Sequence, residues 1–343
     1  MSPNSPSYRE AHGRQFPRRV VALGGGTGLP NVLRGLRTML HRGAVEEVIA
    51  VVTMTDDGGS SGRLRRARGL PPPGDLRNCL VALAAEEDVM AKLFQHRYRG
   101  TEELGGHAVG NLILAALAEQ TGSFLEAVEL SSRVLRVVGR ILPVTLDTVS
   151  LEATMDDGSI VVGETQMRAS EKKIDRVALR PSPAHPTPGV LEAIRDADIV
   201  VLGPGSLYTS VVPHLLVHGI VRALRETGAV VILIANVVSE PGETAGLEPA
   251  AELGVVEQHA SGPFLNAVLV HDGRIDSETL ARYEADGSHL LPWPGNSGSA
   301  VAIHRKDLVA RGAKIRHDPV ATAEALVEIW RHGTASRVVE RAR

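Results

Sequence analysis

The chain has 343 residues, a formal net charge of −3, 43% hydrophobic and 22% charged residues, the make-up of a globular protein long enough to bury a sizeable core. That charge gives no pull toward nucleic acid or an anionic membrane, and 3% aromatics leave little for a base-stacking platform. The single cysteine, Cys79, excludes an internal disulfide and any multi-cysteine zinc site. Set among Leu76, Leu80 and Val81, it reads as a buried, inert thiol in a reducing compartment.

In chain order, residues 1–17 are polar, without the apolar stretch of an export signal, and read as a disordered leader. No apolar run approaches the roughly 18 residues that span a bilayer, so a cytoplasmic location without a membrane span is expected. Arg19–Leu23 reads as a strand that enters Gly24-Gly25-Gly26-Thr27-Gly28. Leu29, Val32, Leu33, Leu36 and Leu40 then recur at helical spacing. Val48–Thr53 is a β-branched run suited to a strand covered on both faces, and it opens into Asp56-Asp57-Gly58-Gly59-Ser60-Ser61-Gly62. A mainly helical insert is expected at about 75–136. Ile141–Thr145 and Val149–Glu164 follow as strands, the latter folded at Asp156-Asp157-Gly158-Ser159 into a hairpin. The proline-rich stretch 180–188 reads as a loop. Ile199–Leu202 enters Gly203-Pro204-Gly205-Ser206, Val230–Ala235 ends at Asn236, and Phe264–Val270 and Ala300–His304 supply later strands.

Strands alternating with helices predict an α/β fold with a Rossmann-like, doubly wound, mainly parallel sheet, a single domain over 18–335 and a tail at 336–343. In such sheets ligands bind outside the carboxyl ends of the strands. Four predicted strands end in polar, glycine-rich motifs, which a parallel sheet would gather along one edge.

Gly24–Gly28 lies between a strand and a helix, where backbone N–H groups and the helix N-terminus suit a phosphate. It lacks the lysine of a P-loop and the third glycine of the dinucleotide fingerprint. Asp56 and Asp57, with Gly58, Gly59, Ser60 and Ser61, could hold a divalent cation, a ribose hydroxyl or a substrate proton, and Asp57 is the candidate metal ligand. Arg77 and Asn78 stand in the first turn after the N-cap candidate Asp75. Gly105–Asn111 opens a further helix, offering Asn111 to the ligand and His107 as a candidate general acid or base beside Asp57. Gly203, Gly205 and Ser206 form a second phosphate cradle, and Asn236 with Glu240–Thr244 completes the set. No Ser-His-Asp elbow, metalloprotease helix or other nucleophile–base pair is recognisable.

The ordered motifs Gly24–Leu29, Asp56–Leu64, Gly74–Leu83, Gly106–Asn111, Gly203–Ser210 and Pro241–Thr244 resemble the YvcK-type gluconeogenesis factor family of the CofD-like superfamily, from about residue 18 to 327. The resemblance implies a CofD-like fold and a nucleotide-sugar ligand, UDP-N-acetylglucosamine above all. It implies a role in growth and cell shape on gluconeogenic carbon sources, and places Arg316 at the UDP-sugar. It also implies regulatory protein partners and homo-oligomers. The CofD branch suggests an alternative, a phospholactyl transferase using Mg²⁺ with its bound nucleotide. A dinucleotide-binding protein is a third reading. The chain departs from the family pattern at Ser239-Glu240, where Thr-Gln is expected, at Ala245 in place of Asp, and at Ala108 in place of a small hydroxyl residue.

Overall fold

The computed structural model describes residues 16–85, 89–248, 250–294, 301–312 and 314–341. The expected leader lies almost wholly outside them.

The continuous apolar runs form one sheet. Its strands are β1 (Arg19–Gly24), β2 (Glu47–Val52), β3 (Arg140–Pro143), β7 (Ile199–Leu202), β8 (Val230–Ile234), β9 (Ala267–His271) and β10 (Ala302–Lys306). Their spatial order is β10-β9-β8-β7-β1-β2-β3, and every ladder is parallel. β7 and β8 are buried along their whole length, as strands covered by helices on both faces must be. The chain winds outward from β1 to β2 and β3 on one side, and from β7 to β8, β9 and β10 on the other. The switch point therefore falls between β1 and β7, which pair from Val20↔Ile199 to Leu23↔Leu202. The mainly parallel, doubly wound sheet is as expected.

The insert is helical: α1 (Gly28–His41) and α2 (Gly59–Arg68) precede α3 (Gly74–Ala82), α4 (Val89–Gln95), α5 (Val109–Thr121) and α6 (Phe124–Val134). α2 was expected as loop. It starts at Gly59, so Ser60 and Ser61 stand in its first turn. Cys79 is fully buried on α3, and burial pushes its thiol well above the ordinary range.

A smaller antiparallel sheet, β5 (Ile160–Val162), β4 (Ser150–Met155) and β6 (Ile174–Arg180), follows the insert in the chain. β4 alternates buried and half-buried residues, as a sheet with one covered face requires. The predicted hairpin turn joins β4 and β5, with Asp157 accepting from the Ser159 backbone N–H at 2.9 Å and its hydroxyl at 2.6 Å. The remaining helices are α7 (Glu164–Arg168), α8 (Val190–Arg195), a wide turn Leu207–Val211 that runs into α9 (Val212–Leu215), α10 (Ile220–Glu226), α11 (Ala251–His259), α12 (Ser277–Ala285) and α13 (Pro319–Arg341).

α13 crosses position 335 without a break and packs on α1. The two helices meet at Gly35, where a Cβ would lie 1.8 Å from the Pro319 carbonyl oxygen and 3.0 Å from Ala323 Cβ. Only glycine permits that approach. It brings the segment before α13 over the sheet edge, where the Asn31 side-chain amide donates to the His317 carbonyl. Gly35→Ala is therefore expected to destabilise the fold by about 1–3 kcal/mol through overpacking and to shift the 315–317 segment. Chemical denaturation of the variant checks this, and unchanged stability would mean the helices can separate freely.

Candidate functional site

A cavity of about 340 Å³ opens at the switch point. The loop after β1 lines it with Gly26, Thr27, Gly28 and Asn31, and the loop after β7 with Pro204, Gly205 and Ser206. The end of β8 adds Asn236, Val237, Val238 and Glu240, α7 adds Arg168, and the segment before α13 adds Ile315, Arg316 and His317. The structure thus gathers the expected residues Gly26, Thr27, Gly28, Gly205, Ser206, Asn236 and Arg316.

Gly24, Gly25 and Gly203 lie beneath it and serve shape. A Cβ on Gly25 would lie 2.3 Å from Thr53 Cγ2 and 2.7 Å from Asp75 Oδ2, and one on Gly28 2.0 Å from the Pro204 carbonyl oxygen. Gly26 has φ +60°, in the region that favours glycine. Its N–H donates to Asp75 Oδ2 at 2.7 Å, so that cradle N–H is turned to a carboxylate and away from a phosphate.

Arg168 was not foreseen as a site residue, and Glu240 was foreseen only as part of the Glu240–Thr244 motif. Arg168 donates from Nε to Glu243 Oε1 at 3.3 Å and from Nη2 to Ser206 Oγ at 3.1 Å. Ser206 Oγ in turn donates to Glu240 Oε2 at 2.6 Å, and Thr209 Oγ1 donates to Glu243 Oε1 at 2.8 Å. Burial opposes the charge on Arg168, and the carboxylates of Glu243, Glu164 and Glu240 more than offset it, so its pKa is raised.

Asp57 is not among the residues that line this cavity. Its Oδ1 accepts the backbone N–H and the hydroxyl of Thr165, at 3.0 Å and 2.7 Å. Thr165 is in the first turn of α7, so Asp57 anchors the helix whose last residue is Arg168. Asp56 Oδ1 accepts the Gly58 N–H at 3.0 Å. Burial pushes Asp75 up to about 6, against the Gly26 N–H and with help from the charge on Asp56. Burial likewise holds Glu164 well above the usual carboxylate range, although Thr55 Oγ1 donates to it at 2.6 Å. Among the described residues no group of three or more His, Cys, Asp or Glu side chains is arranged to hold a metal. Asp57 Oδ1 is thus engaged by Thr165, and burial raises the pKa of the nearby carboxyls of Asp75 and Glu164.

Ser60, Arg77, Asn78, His107 and Asn111 form a separate buried chain away from the cavity lining. Ser60 Oγ is 3.0 Å from His107 Nδ1 and accepts the Asn111 side-chain amide at 3.0 Å. Arg77 donates to Asn111 Oδ1 at 3.2 Å and to Asn78 Oδ1 at 2.7 Å. The Ser60–His107 pair is the nucleophile–base contact that the sequence did not disclose. Burial first, then the charges of Arg63 and Arg97, lower the His107 pKa. Burial also lowers Arg77 to about 10. At 4% and 8% exposure, Ser60 and His107 cross-link α2 to the insert and offer little surface to a substrate.

The CofD family, described as 2-phospho-L-lactate transferase CofD, matches residues 20–315. The "Gluconeogenesis factor" of Halalkalibacterium halodurans is 44% identical over 91% of this chain and 96% of its own length. That of Bacillus subtilis is 39% identical over 91% of this chain and 98% of its own length. A crystal structure of a UPF0052-family protein from Bacillus halodurans superposes with a TM-score of 0.86 at 40% identity, covering 90% of this chain and 98% of that one.

Glu252 underlies the cavity. Its Oε2 accepts the Asn236 N–H at 3.1 Å, Oε1 has no partner, and burial pushes its pKa up to about 8. The folded chain thus holds this proton more tightly than the unfolded chain does. Stability from this group is complete below the ordinary carboxylate pKa and is lost as pH rises through about 8. Glu252→Gln is expected to match the wild type at pH 5 and to exceed it at pH 9, by on the order of 4 kcal/mol if little relaxes. Calorimetric melts of both proteins at the two pH values check this, and a constant difference would show that the carboxylate does not carry the effect.

Proposed function

The chain belongs to the CofD family, and from that membership and the cavity we propose that it is a regulatory protein that binds a nucleotide sugar, UDP-N-acetylglucosamine being the preferred ligand. One observation carries the reading. Two guanidinium side chains, Arg168 from α7 and Arg316 from the segment before α13, reach a single cavity at the switch point beside Ser206 and the N-terminus of α1. Arginine pairs suit the oxyanions of a diphosphate, and a helix N-terminus favours the same charge. The cavity is within the size range of small-molecule sites. The sugar and base follow from the resemblance to the gluconeogenesis factors. So do the proposed role in growth and cell shape on gluconeogenic carbon, the protein partners and the homo-oligomer, while the proposed cytoplasmic setting rests on the sequence's lack of an export or membrane signal.

A second reading, a CofD-type transferase, is favoured by the family match across residues 20–315. The two readings separate in one experiment. Titration calorimetry against UDP-N-acetylglucosamine, UDP, GDP, GTP and NAD should show the uridine ligands binding. Incubation of the protein with UDP-N-acetylglucosamine and Mg²⁺ should release no UDP or UMP. Binding of guanine nucleotides alone, or catalytic product release, would move the assignment to the transferase.

Arg168→Ala and Arg316→Ala should each weaken UDP binding by roughly 1.5–3 kcal/mol, the range for a hydrogen bond to a charged group. Glu240→Gln should strengthen it severalfold by removing a negative charge from the cavity wall. Unchanged affinity in both arginine variants would remove the phosphates from this cavity.

A further inference from the structure

Beside the main cavity, and sharing Asn236 and Val237 with it, is a smaller cavity of about 90 Å³. His271 at the end of β9, Trp293 and Arg305 line it, with Leu290, Leu291 and Pro292 as apolar wall.

Its polar chemistry is one-sided. Trp293 is 6% exposed, and its indole Nε1 is buried without a hydrogen-bond partner. An indole N–H can only donate. The His271 side chain is 5% exposed, and its Nδ1 accepts the Leu308 backbone N–H at 3.0 Å. Accepting at Nδ1 puts the ring proton on Nε2, and Nε2 is also buried without a partner. Burial lowers the ring's pKa, against the charges of Asp307 and Asp272 and the Gly273 carbonyl, which favour the protonated form. With Nδ1 accepting from Leu308, the neutral ring donates from Nε2. Buried donors are ordinarily satisfied. Here two residues that line one small cavity, from β9 and from the segment after α12, each hold a buried ring N–H with no acceptor among the described residues.

Size and charge narrow the occupant. An apolar cavity of about 150 Å³ holds a benzene ring, so this one suits a substituent better than a nucleobase. The Arg305 guanidinium is committed to the Trp293 and Pro294 carbonyls. Asp272 borders the cavity and Asp307 stands 3.7 Å from His271 Nδ1. The carboxylates offset the guanidinium, which disfavours an anion and leaves an uncharged oxygen acceptor as the complement.

We propose that the smaller cavity is a subsite for an uncharged oxygen-bearing substituent, a hydroxyl or an amide carbonyl, on the group carried beyond the phosphates of a nucleotide in the main cavity, with Trp293 Nε1 and His271 Nε2 as its donors. The proposal rests on the nucleotide reading of the main cavity.

The test compares UDP with UDP-N-acetylglucosamine by titration calorimetry on the wild type and on Trp293→Phe, which keeps a ring face and loses the donor. Trp293→Phe should weaken UDP-N-acetylglucosamine at least fivefold and leave UDP within twofold. In ¹H–¹⁵N spectra of the wild type, the Trp293 indole N–H, identified by its loss in Trp293→Phe, should shift with UDP-N-acetylglucosamine and stay in place with UDP. Trp330, the chain's other tryptophan, serves as internal control. The spectra keep the proposal open to refutation even if the variant folds poorly. An unshifted indole, or equal weakening of both ligands, overturns the subsite and leaves the phosphate reading standing. A wild type that binds neither ligand overturns both.

Discussion

Gly28 lies so close to the loop after β7 that a Cβ would stand 2.0 Å from the Pro204 carbonyl oxygen. The rest of the site depends on this contact. β1 and β7 are neighbours at the switch point, and their following segments would diverge unless something held them together. A residue without a side chain lets the first turn of α1 rest on the Gly203–Gly205 loop. The polar face of the site then forms from two loops that are far apart in sequence. Gly25 is closely approached by side chains instead, Thr53 Cγ2 and Asp75 Oδ2, so the backbone-to-backbone contact is that of Gly28. Glycine here brings backbone to backbone, and the positive charge for an anionic ligand comes from elsewhere.

That charge arrives by two anchored routes. On one, Asp57 holds Thr165 at the start of α7, and the short helix carries Arg168 to the cavity. On the other, Gly35 lets α13 close on α1, and Asn31 fastens the His317 carbonyl, which sets Arg316 over the opening. Asp57 thus bears on the cavity through the placement of α7. The polar chain from Ser60 to Arg77 performs similar work further out, tying α2 to α3 and α5 through buried hydrogen bonds.

Much of this was legible in the sequence, for identifiable reasons. Strands buried on both faces appear as unbroken Val, Ile and Leu runs, so β1, β2, β7 and β8 could be read directly. The gathering of Gly26–Gly28, Gly205, Ser206 and Asn236 followed from parallel pairing alone. Asp57 could not be read. A carboxylate that anchors a helix start and one that binds a ligand occupy the same kind of glycine-rich loop, and the Thr165 contact lies 108 residues along the chain. Arg168 was hidden for the opposite reason, because it follows an ordinary polar turn and its partners Ser206 and Glu243 are distant in the chain. β6 carries Asp175 and Arg176 between its buried residues Ile174 and Val177, which obscured its strand pattern. Ser60 and His107 are 47 residues apart, a separation at which spacing says nothing of contact.

The carboxylates around Arg168 give the cavity a character that glycine motifs alone would not. Glu243 above all, with Glu240, favours the guanidinium charge against the cost of its burial. Glu240 does so while accepting the Ser206 hydroxyl at 2.6 Å, and Ser206 is itself a cavity residue. A phosphate bound as proposed would compete with Glu240 for Ser206 and for Arg168. Exchange of one anion for another yields less net binding than filling an unopposed positive site would, because part of the Coulomb gain is already realised within the protein. The same arrangement holds the arginine in place before a ligand arrives, which lowers the ordering cost of binding. Glu240 thus trades affinity for a preset geometry, and the cavity should respond to changes in ligand concentration more readily than it retains what it has bound.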